Sequence, residues 1–306
     1  MNFVILIVGI VVERYALGWM NLKEFRLLDG YGDWAANKLN QFPGIVGFLI
    51  ALAVVLVPVL PVIALVYLLQ DAWNGWAQYL FSIVVLVVSL GPRDLVEATD
   101  ELADANDKGD LETAKRVSKE ITEVTPPEAS TLRCRAIAEA IFVQANNKLF
   151  GVIFWFLLLG PIGSWLFHVS DLIRRRVMYE SLRDESSLEL KNSLTAVFRV
   201  HGMLAWVPAR LLALGYAMAG SFEDAVSDWR GYYQNTAEHF FEVSEDVVAA
   251  AGCGALGRAM NTLESDQEQV CRVEADTVRS AMSLVHRTLW IWLTAIAVLT
   301  IVAFEG

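Results

Sequence analysis

The chain has 306 residues, 55% of them hydrophobic, and its 24 Lys and Arg against 35 Asp and Glu leave a formal net charge of −11. A soluble domain is about 45 to 50% apolar, so this composition, with a mean hydropathy of +0.44, reads as an integral membrane protein. The acidic balance argues against nucleic acid as a partner, because no basic face is at hand to neutralise phosphates.

Residues 2–17 read as a first apolar helix. The run starts without a basic stretch and reaches Glu13 without a small-residue cleavage site, so it is expected to stay as a membrane helix rather than leave as a signal peptide. Glu13 and Arg14 close it at the membrane interface, where an arginine can snorkel to the headgroups; an ionisable pair there is also a functional candidate. Residues 19–42 follow as an amphipathic interfacial stretch, with Trp19, Phe25, Leu28 and Trp34 on the apolar side and Lys23, Arg26 and Lys38 in water. Residues 45–69 form a second span kinked by Pro58 and Pro61, and residues 76–90 a third. The linker QDAWNGW between them sets two tryptophans at interface depth. Gly91-Pro92 ends the third helix.

From 93 to 148 the chain becomes charged and Ala-rich with helical periodicity. Asn106 to Gly109 is a turn, and Asp110 can cap a helix from Leu111 to about Thr122. Thr125, Pro126, Pro127 and Glu128 supply the cap, first-position proline and N3 acid of the next helix. The apolar run Leu149 to Val169 then matches a span of roughly twenty residues, but Gly160, Pro161 and Gly163 sit in its middle. It can be a kinked span or a hairpin that enters and leaves by one face. No Lys or Arg precedes Glu13, lies between Lys38 and Arg93, or follows Arg287. With a re-entrant hairpin and the N-terminus outside, every cation stays cytoplasmic, as the positive-inside rule prefers.

After the triplet Arg174, Arg175, Arg176, a topology anchor near anionic lipid, residues 180–195 are polar. Residues 193–220 read as a half-buried helix broken by Pro208 and carrying Arg199, His201 and Arg210. Ser221 to Asp224 resembles a capping box opening a helix to about Ala251, which the cluster AGCGALG breaks; residues 266–304 form one long helix whose last part, 284–304, is the final span. Cys134, Cys253 and Cys271 form no CxxC and fall in segments placed in the cytosol, where reduced thiols are the default. No HExxH is present, the four histidines have no metal-ligand spacing, and the glycines form no phosphate loop, so neither catalytic nor metal-binding residues are expected.

GDLETAKRVSKEI at 109–121, RAIAEA at 135–140, FWFLLLGPIG at 154–163 and the block from Arg199 to WVPARL at 206–211 occur in one order and spacing. In this the chain resembles the CobD/CbiB family of membrane amide synthases over roughly residues 95–220. The resemblance implies condensation of an aminopropanol or its phosphate with a corrinoid carboxylate, using ATP and Mg²⁺. The departures are acid losses. Where the family carries ES-x-x-E-N-T-x-D, this chain keeps Glu139 but has Val143, Gln144 and Asn147 at the later positions; NTLD becomes Asp171 to Arg174; and a paired Asp becomes His201 and Gly202. Mg²⁺ with ATP needs hard anionic oxygens, so ATP and Mg²⁺ belong only to the reading in which a synthase or transferase scaffold survives with altered metal chemistry. The retained subset, the Glu13-Arg14 ending and the terminal span resemble the AmpE branch of this superfamily. That resemblance implies a bacterial inner-membrane modulator of β-lactamase induction linked to peptidoglycan recycling, not an enzyme.

The expected fold is all-α: about four transmembrane helices, a re-entrant helical hairpin and a cytoplasmic helical layer. It divides as 1–92, 93–148, 149–220, 221–283 and 284–306. The ligand-binding candidates are Arg135, Glu139, Asn146, Asn147, Asp171, Arg199, His201 and Arg210. Two readings stand side by side: a pocket facing the cytoplasm that holds an anionic cell-wall metabolite or nucleotide through guanidinium contacts, or an Arg–Glu network that pins helices to the hairpin. The Gly- and Ala-rich cluster at 249–257 suits packing on another helix, in the same chain or in a second copy as a homo-oligomer.

Overall fold

A computed structural model describes residues 2–16, 29–39, 44–70, 76–183, 188–227, 244–257 and 267–305, and every regular element among them is a helix. The chain falls into two compact units, residues 1–91 with 147–205, and residues 92–146 with 206–306.

Among the described residues, four helices are long and apolar enough to cross a membrane: Gly44–Leu69, Thr131–Leu159, Leu194–Ala219 and Cys271–Val302. The first and last coincide with expected spans. The two apolar helices expected beside them are shorter, Phe3–Glu13 and Trp76–Ser89. The latter has 14 residues, about 21 Å of helix against a hydrocarbon core of about 30 Å. Helices expected to lie at or beneath the membrane have the length to cross it instead.

In the first unit, α1 (Asn2–Ala16), α2 (Asp29–Leu39) and α3 (Gly44–Leu56) are followed by a 3₁₀ turn at Val57–Val59, then α4 (Leu60–Leu69) and α5 (Trp76–Ser89). The 3₁₀ turn sits where Pro58 and Pro61 remove two backbone donors, as the sequence predicts. Gly9 lets α1 close on α5: a Cβ there would lie 2.6 Å from the Leu86 side chain. Residues 19–28 and 40–42 of the expected interfacial stretch, and most of the 70–76 linker, lie outside the described residues; within α2, Trp34 and Lys38 are both exposed, one turn apart.

The second unit opens with α6 (Pro92–Lys108) and α7 (Leu111–Thr122), whose N-cap Asp110 accepts the Thr113 amide as predicted. α8 (Ser130–Ala145) begins later than expected, with Ala129 as its N-cap. Two adjacent prolines hold the residues before them extended, and the helix forms only beyond them. α8 continues through a π turn, Asn146–Phe150, into α9 (Gly151–Leu159), which returns the chain to the first unit.

At Gly160 the chain reverses into α10 (Pro161–Arg183). Gly160 has φ 64 and ψ −147, a conformation essentially reserved for glycine. Gly163 packs so tightly that a Cβ would stand 2.2 Å from the Trp155 carbonyl oxygen. The hairpin is therefore centred where the glycines and proline place it. Its arms are tied to other helices by indoles: Trp165 Nε1 donates to the Pro58 carbonyl at 2.9 Å and Trp155 Nε1 to that of Leu204 at 3.0 Å. α11 (Leu188–Ala219) is one unbroken helix with Pro208 inside it, not broken there as expected. The apolar core of this unit joins α2, α3, α10 and the first half of α11. Val169, Ile173 and Val177 recur at helical spacing along α10 and meet Ala196, Val197 and Val200.

The rest of the second unit holds α12 (Ser244–Leu256) and α13 (Gln267–Glu305), the long terminal helix that the sequence predicts. Ser221 Oγ donates to Asp224 at 2.7 Å in the expected capping turn, but residues 228–243 lie outside the described residues. AGCGALG does not break α12; the helix runs through it to Leu256 because the small residues admit close neighbours. A Cβ on Gly252 would stand 2.3 Å from the Phe142 ring of α8, and one on Gly254 2.8 Å from the Ala225 backbone. Ion pairs cross-brace the helices: Arg116 to Glu101 between α7 and α6, Arg279 to Asp107 between α13 and α6, and Arg133 to Glu274 between α8 and α13. All three cysteines are buried and none is in a disulfide.

Candidate functional site

The π turn at Asn146–Phe150 inserts an extra residue into the helix that leads to the hairpin, and π turns are frequent at functional sites. It sets Asn147, 3% exposed, beside His201 of α11, with 3.4 Å between Asn147 Oδ1 and His201 Nε2. The other ring nitrogen of His201 lies 2.9 Å from Ser170 Oγ on α10, and Ser170 also donates to the Phe167 carbonyl. Asn147 Oδ1 can only accept, so a neutral His201 donates to it through Nε2 and accepts through Nδ1, and the single Ser170 proton is shared between Nδ1 and the Phe167 carbonyl. The Phe167 ring, 5.1 Å away between centroids, closes one face of His201.

One residue beyond Ser170, the buried Asp171 carboxylate faces two guanidinium groups. Arg174, itself buried, places Nε at 3.1 Å and Nη2 at 2.9 Å from Oδ1; Arg175 places Nε at 2.9 Å from Oδ2. The spacings i to i+3 and i to i+4 put all three on one face of α10. Burial alone would raise the Asp171 pKa, but Arg175 and Arg174 beside it hold the carboxyl well below the usual range. The Arg174 guanidinium also lies over the Phe198 ring at 5.5 Å.

The eight ligand-binding candidates divide between the units. Asn147, Asp171, Arg199 and His201 belong to the first, where Asn147, Asp171 and His201 are buried together and Arg199 is exposed. Arg135, Glu139, Asn146 and Arg210 belong to the second. There Arg135 pairs with Glu139 one turn on at 2.8 Å, and Arg210 stacks on the Trp206 ring at 4.1 Å while donating to the Trp206 carbonyl. Of the residues expected at the membrane interface, Glu13 is 5% exposed and Arg174 4%, so neither presents its charge at the surface. Arg176 pairs with Asp33 of α2 and with Glu180. The side chain of Arg14 lies outside the described residues. Ser170 and Phe167, which complete the setting of His201, carry no local signal, because the histidine they meet is over thirty residues further along.

A family model described as CobD/Cbib protein matches residues 22–285. The chain belongs to the CobD/CbiB family. It is 31% identical over 205 residues to the cobalamin biosynthesis protein CobD of Stutzerimonas stutzeri, covering 65% of this chain and 62% of that relative. It is 27% identical over 229 residues to the cobalamin biosynthesis protein CobD of Chromobacterium violaceum, covering 70% and 69%. The chain thus spans somewhat under two thirds of the first relative's length. No solved structure matches it.

The donor set of this CobD/CbiB member does not fit the Mg²⁺ that the resemblance implies. Mg²⁺ is held by carboxylates with water and phosphate oxygens, whereas Asp171 has both oxygens on guanidinium groups and its neighbours Asn147, Ser170 and His201 carry no negative charge. Among the described residues no three His, Cys, Asp or Glu side chains gather closely enough to hold a metal ion.

Proposed function

We propose that this CobD/CbiB-family protein is an AmpE-like membrane sensor or signalling modulator that binds an anionic small molecule, of the cell-wall-fragment or nucleotide kind, in place of metal-assisted amide synthesis. The observation that carries this reading is the pairing of Asp171 with both Arg174 and Arg175. The carboxylate that a metal would need is already neutralised, and the groups around it are neutral or cationic. Such a set favours an oxyanion over a cation. The protein sits in the bacterial inner membrane with its N-terminus outside. The hairpin of α9 and α10 enters from the cytoplasmic face and returns to it, leaving the polar residues to cytoplasmic ligands.

The test uses purified protein. Given Mg²⁺-ATP, aminopropanol and a corrinoid acid, it should form no amide and bind no Mg²⁺-ATP at about millimolar concentration. Nucleotides or anionic muropeptides without metal should bind saturably, and Arg199→Ala or Arg210→Ala should weaken that binding without lowering membrane insertion. Variants that fail to accumulate would instead mark these arginines as structural ties. A second reading, a membrane amide synthase or transferase with altered metal chemistry, is favoured by the printed names of both relatives, cobalamin biosynthesis protein CobD. Measurable turnover would put it first.

A further inference from the structure

Between Arg199 and Glu223 the chain carries one Lys, Arg, Asp or Glu side chain, that of Arg210. On α11, Val207, Leu211, Leu214 and Met218 are 40 to 61% exposed. They recur at intervals of four, three and four residues, so they line one face of the helix. Ala209, Ala213 and Tyr216, which fall on the opposite face, are fully buried. On one flank of the stripe Gly215 lets α13 close in: a Cβ there would lie 2.7 Å from Thr288. On the other flank the Arg210 guanidinium is held to the preceding turn of its own helix, over the Trp206 ring at 4.1 Å and donating to the Trp206 carbonyl at 2.9 Å.

In water a stripe of this spacing would mark a helix–helix seam. In a membrane it does not, because lipid tails are as apolar as leucine and helices there meet chiefly through small residues. The small residues of this stretch are already used inside the chain: Ala209 and Ala213 are buried, and Gly215 stands against Thr288. What faces outward is bulky and uncharged, a surface that acyl chains cover without leaving a polar group unsatisfied. It is continuous with a surface of the same kind. α13 holds one of the four candidate spans, and past Thr288, where it meets α11, Trp290 and Leu299 are also exposed. From Val207 to Met218 the stripe runs for about 17 Å of helix, close to one leaflet of a hydrocarbon core of about 30 Å.

We infer that the face of α11 formed by Val207, Leu211, Leu214 and Met218 is a lipid-contact surface, covered by phospholipid acyl chains and not by a second copy of this chain. Over these residues the helix lies within the hydrocarbon, not beneath it. The inference does not rest on the anionic ligand of the proposed function and can fail or stand separately from it.

The experiment places a nitroxide label on single cysteines, Val207→Cys, Leu211→Cys, Leu214→Cys and Met218→Cys, in the full-length protein on a cysteine-free background. The protein is reconstituted in liposomes of phosphatidylcholine and phosphatidylglycerol. Oxygen, which partitions into hydrocarbon, should relax all four labels more strongly than a water-soluble nickel chelate does. A label on Lys119→Cys, exposed on α7, should show the reverse order, and no dipolar broadening should arise between labels of different molecules. Stronger relaxation by nickel at the four positions overturns the inference by placing the face in water. Broadening at Leu211→Cys or Leu214→Cys overturns it by seating a second copy there. A label-free variant, Leu211→Ala with Leu214→Ala, keeps the native cysteines and decides the matter if the labelled proteins fail to accumulate. It should reach the membrane as the wild type does and melt in detergent within about 2 °C of it, since trimming an outward face changes stability little. A fall of several degrees, or a change from dimer to monomer in light scattering, shows that these side chains pack on protein and overturns the inference.

Discussion

Trp155 donates its indole N–H to the Leu204 carbonyl at 3.0 Å, and Leu204 stands four residues before Pro208 in the unbroken helix α11. The amide that would have bonded this carbonyl is the one proline lacks. The same arrangement recurs on the other arm of the hairpin, where Trp165 bonds the Pro58 carbonyl, three residues before Pro61 in the 3₁₀ turn. An unsatisfied carbonyl in lipid is costly, so each tryptophan both relieves a proline defect and fixes the hairpin in place.

Trp155→Phe should therefore destabilise the protein by roughly 0.6 to 1.7 kcal/mol, the span measured for interhelical bonds in membrane proteins. Pro208→Ala restores the missing amide, and in that background the same substitution should cost clearly less. A double-mutant cycle read by thermal unfolding in detergent gives the coupling directly. Equal losses in both backgrounds would mean that the indole acts by packing alone.

Asp171→Asn removes the counter-charge of a buried arginine. Breaking a buried pair by deleting one partner costs about 3 to 5 kcal/mol, and the substitution should lower accumulation in the membrane and the unfolding temperature. The pH dependence has a definite sign. The folded carboxyl titrates below its usual value, so its stabilisation is complete above the unfolded pKa of about 3.9 and is lost as pH falls through the lower folded value. Wild type should lose stability on acidification below about pH 4, and Asp171→Asn should show a shallower dependence there.

What was legible in the sequence follows from the range of the signal. Asp110 caps α7, Gly160 and Pro161 turn the hairpin, and the terminal helix runs almost as read, because each depends on neighbours within a turn. The arginine triplet reads as a lipid anchor when charge is counted along the chain, although Asp171 at i−3 and i−4 was a visible partner. Nothing local joins Asn147, Ser170 and His201. The small residues of α12 look like a helix break by propensity, yet they are what lets two helices meet, which only the partner Phe142 reveals.

That last point is testable. In an ordinary helix, replacing glycine by alanine stabilises by up to about 1 kcal/mol. At Gly252 the new methyl would stand 2.3 Å from the Phe142 ring, which is itself buried and tilted against Tyr216 at 4.9 Å. Gly252→Ala should therefore have the opposite sign and destabilise by about 1 to 3 kcal/mol, and Phe142→Leu should recover part of the loss by opening room. A stabilised Gly252→Ala variant would show that α12 does not pack on α8 at this distance.

The direction of the hairpin makes a prediction about sidedness. α9 ends at Leu159, and α10 carries Arg174, Arg175 and Arg176 back beside it. Whether the tip at Gly160 stops within the bilayer or reaches its far surface, the triplet returns to the side from which α9 came. In the proposed topology that side is the cytoplasm, a choice that rests on the lack of Lys and Arg between Lys38 and Arg93. In a cysteine-free background, a membrane-impermeant maleimide added to intact spheroplasts should label a cysteine at position 74, which falls outside the described residues, and should leave one at Arg183 unlabelled until the membrane is opened. External labelling at 183 would require α10 to leave the membrane on the opposite side from α8. That would overturn the proposed re-entrant hairpin and the proposed cytoplasmic placement of the triplet.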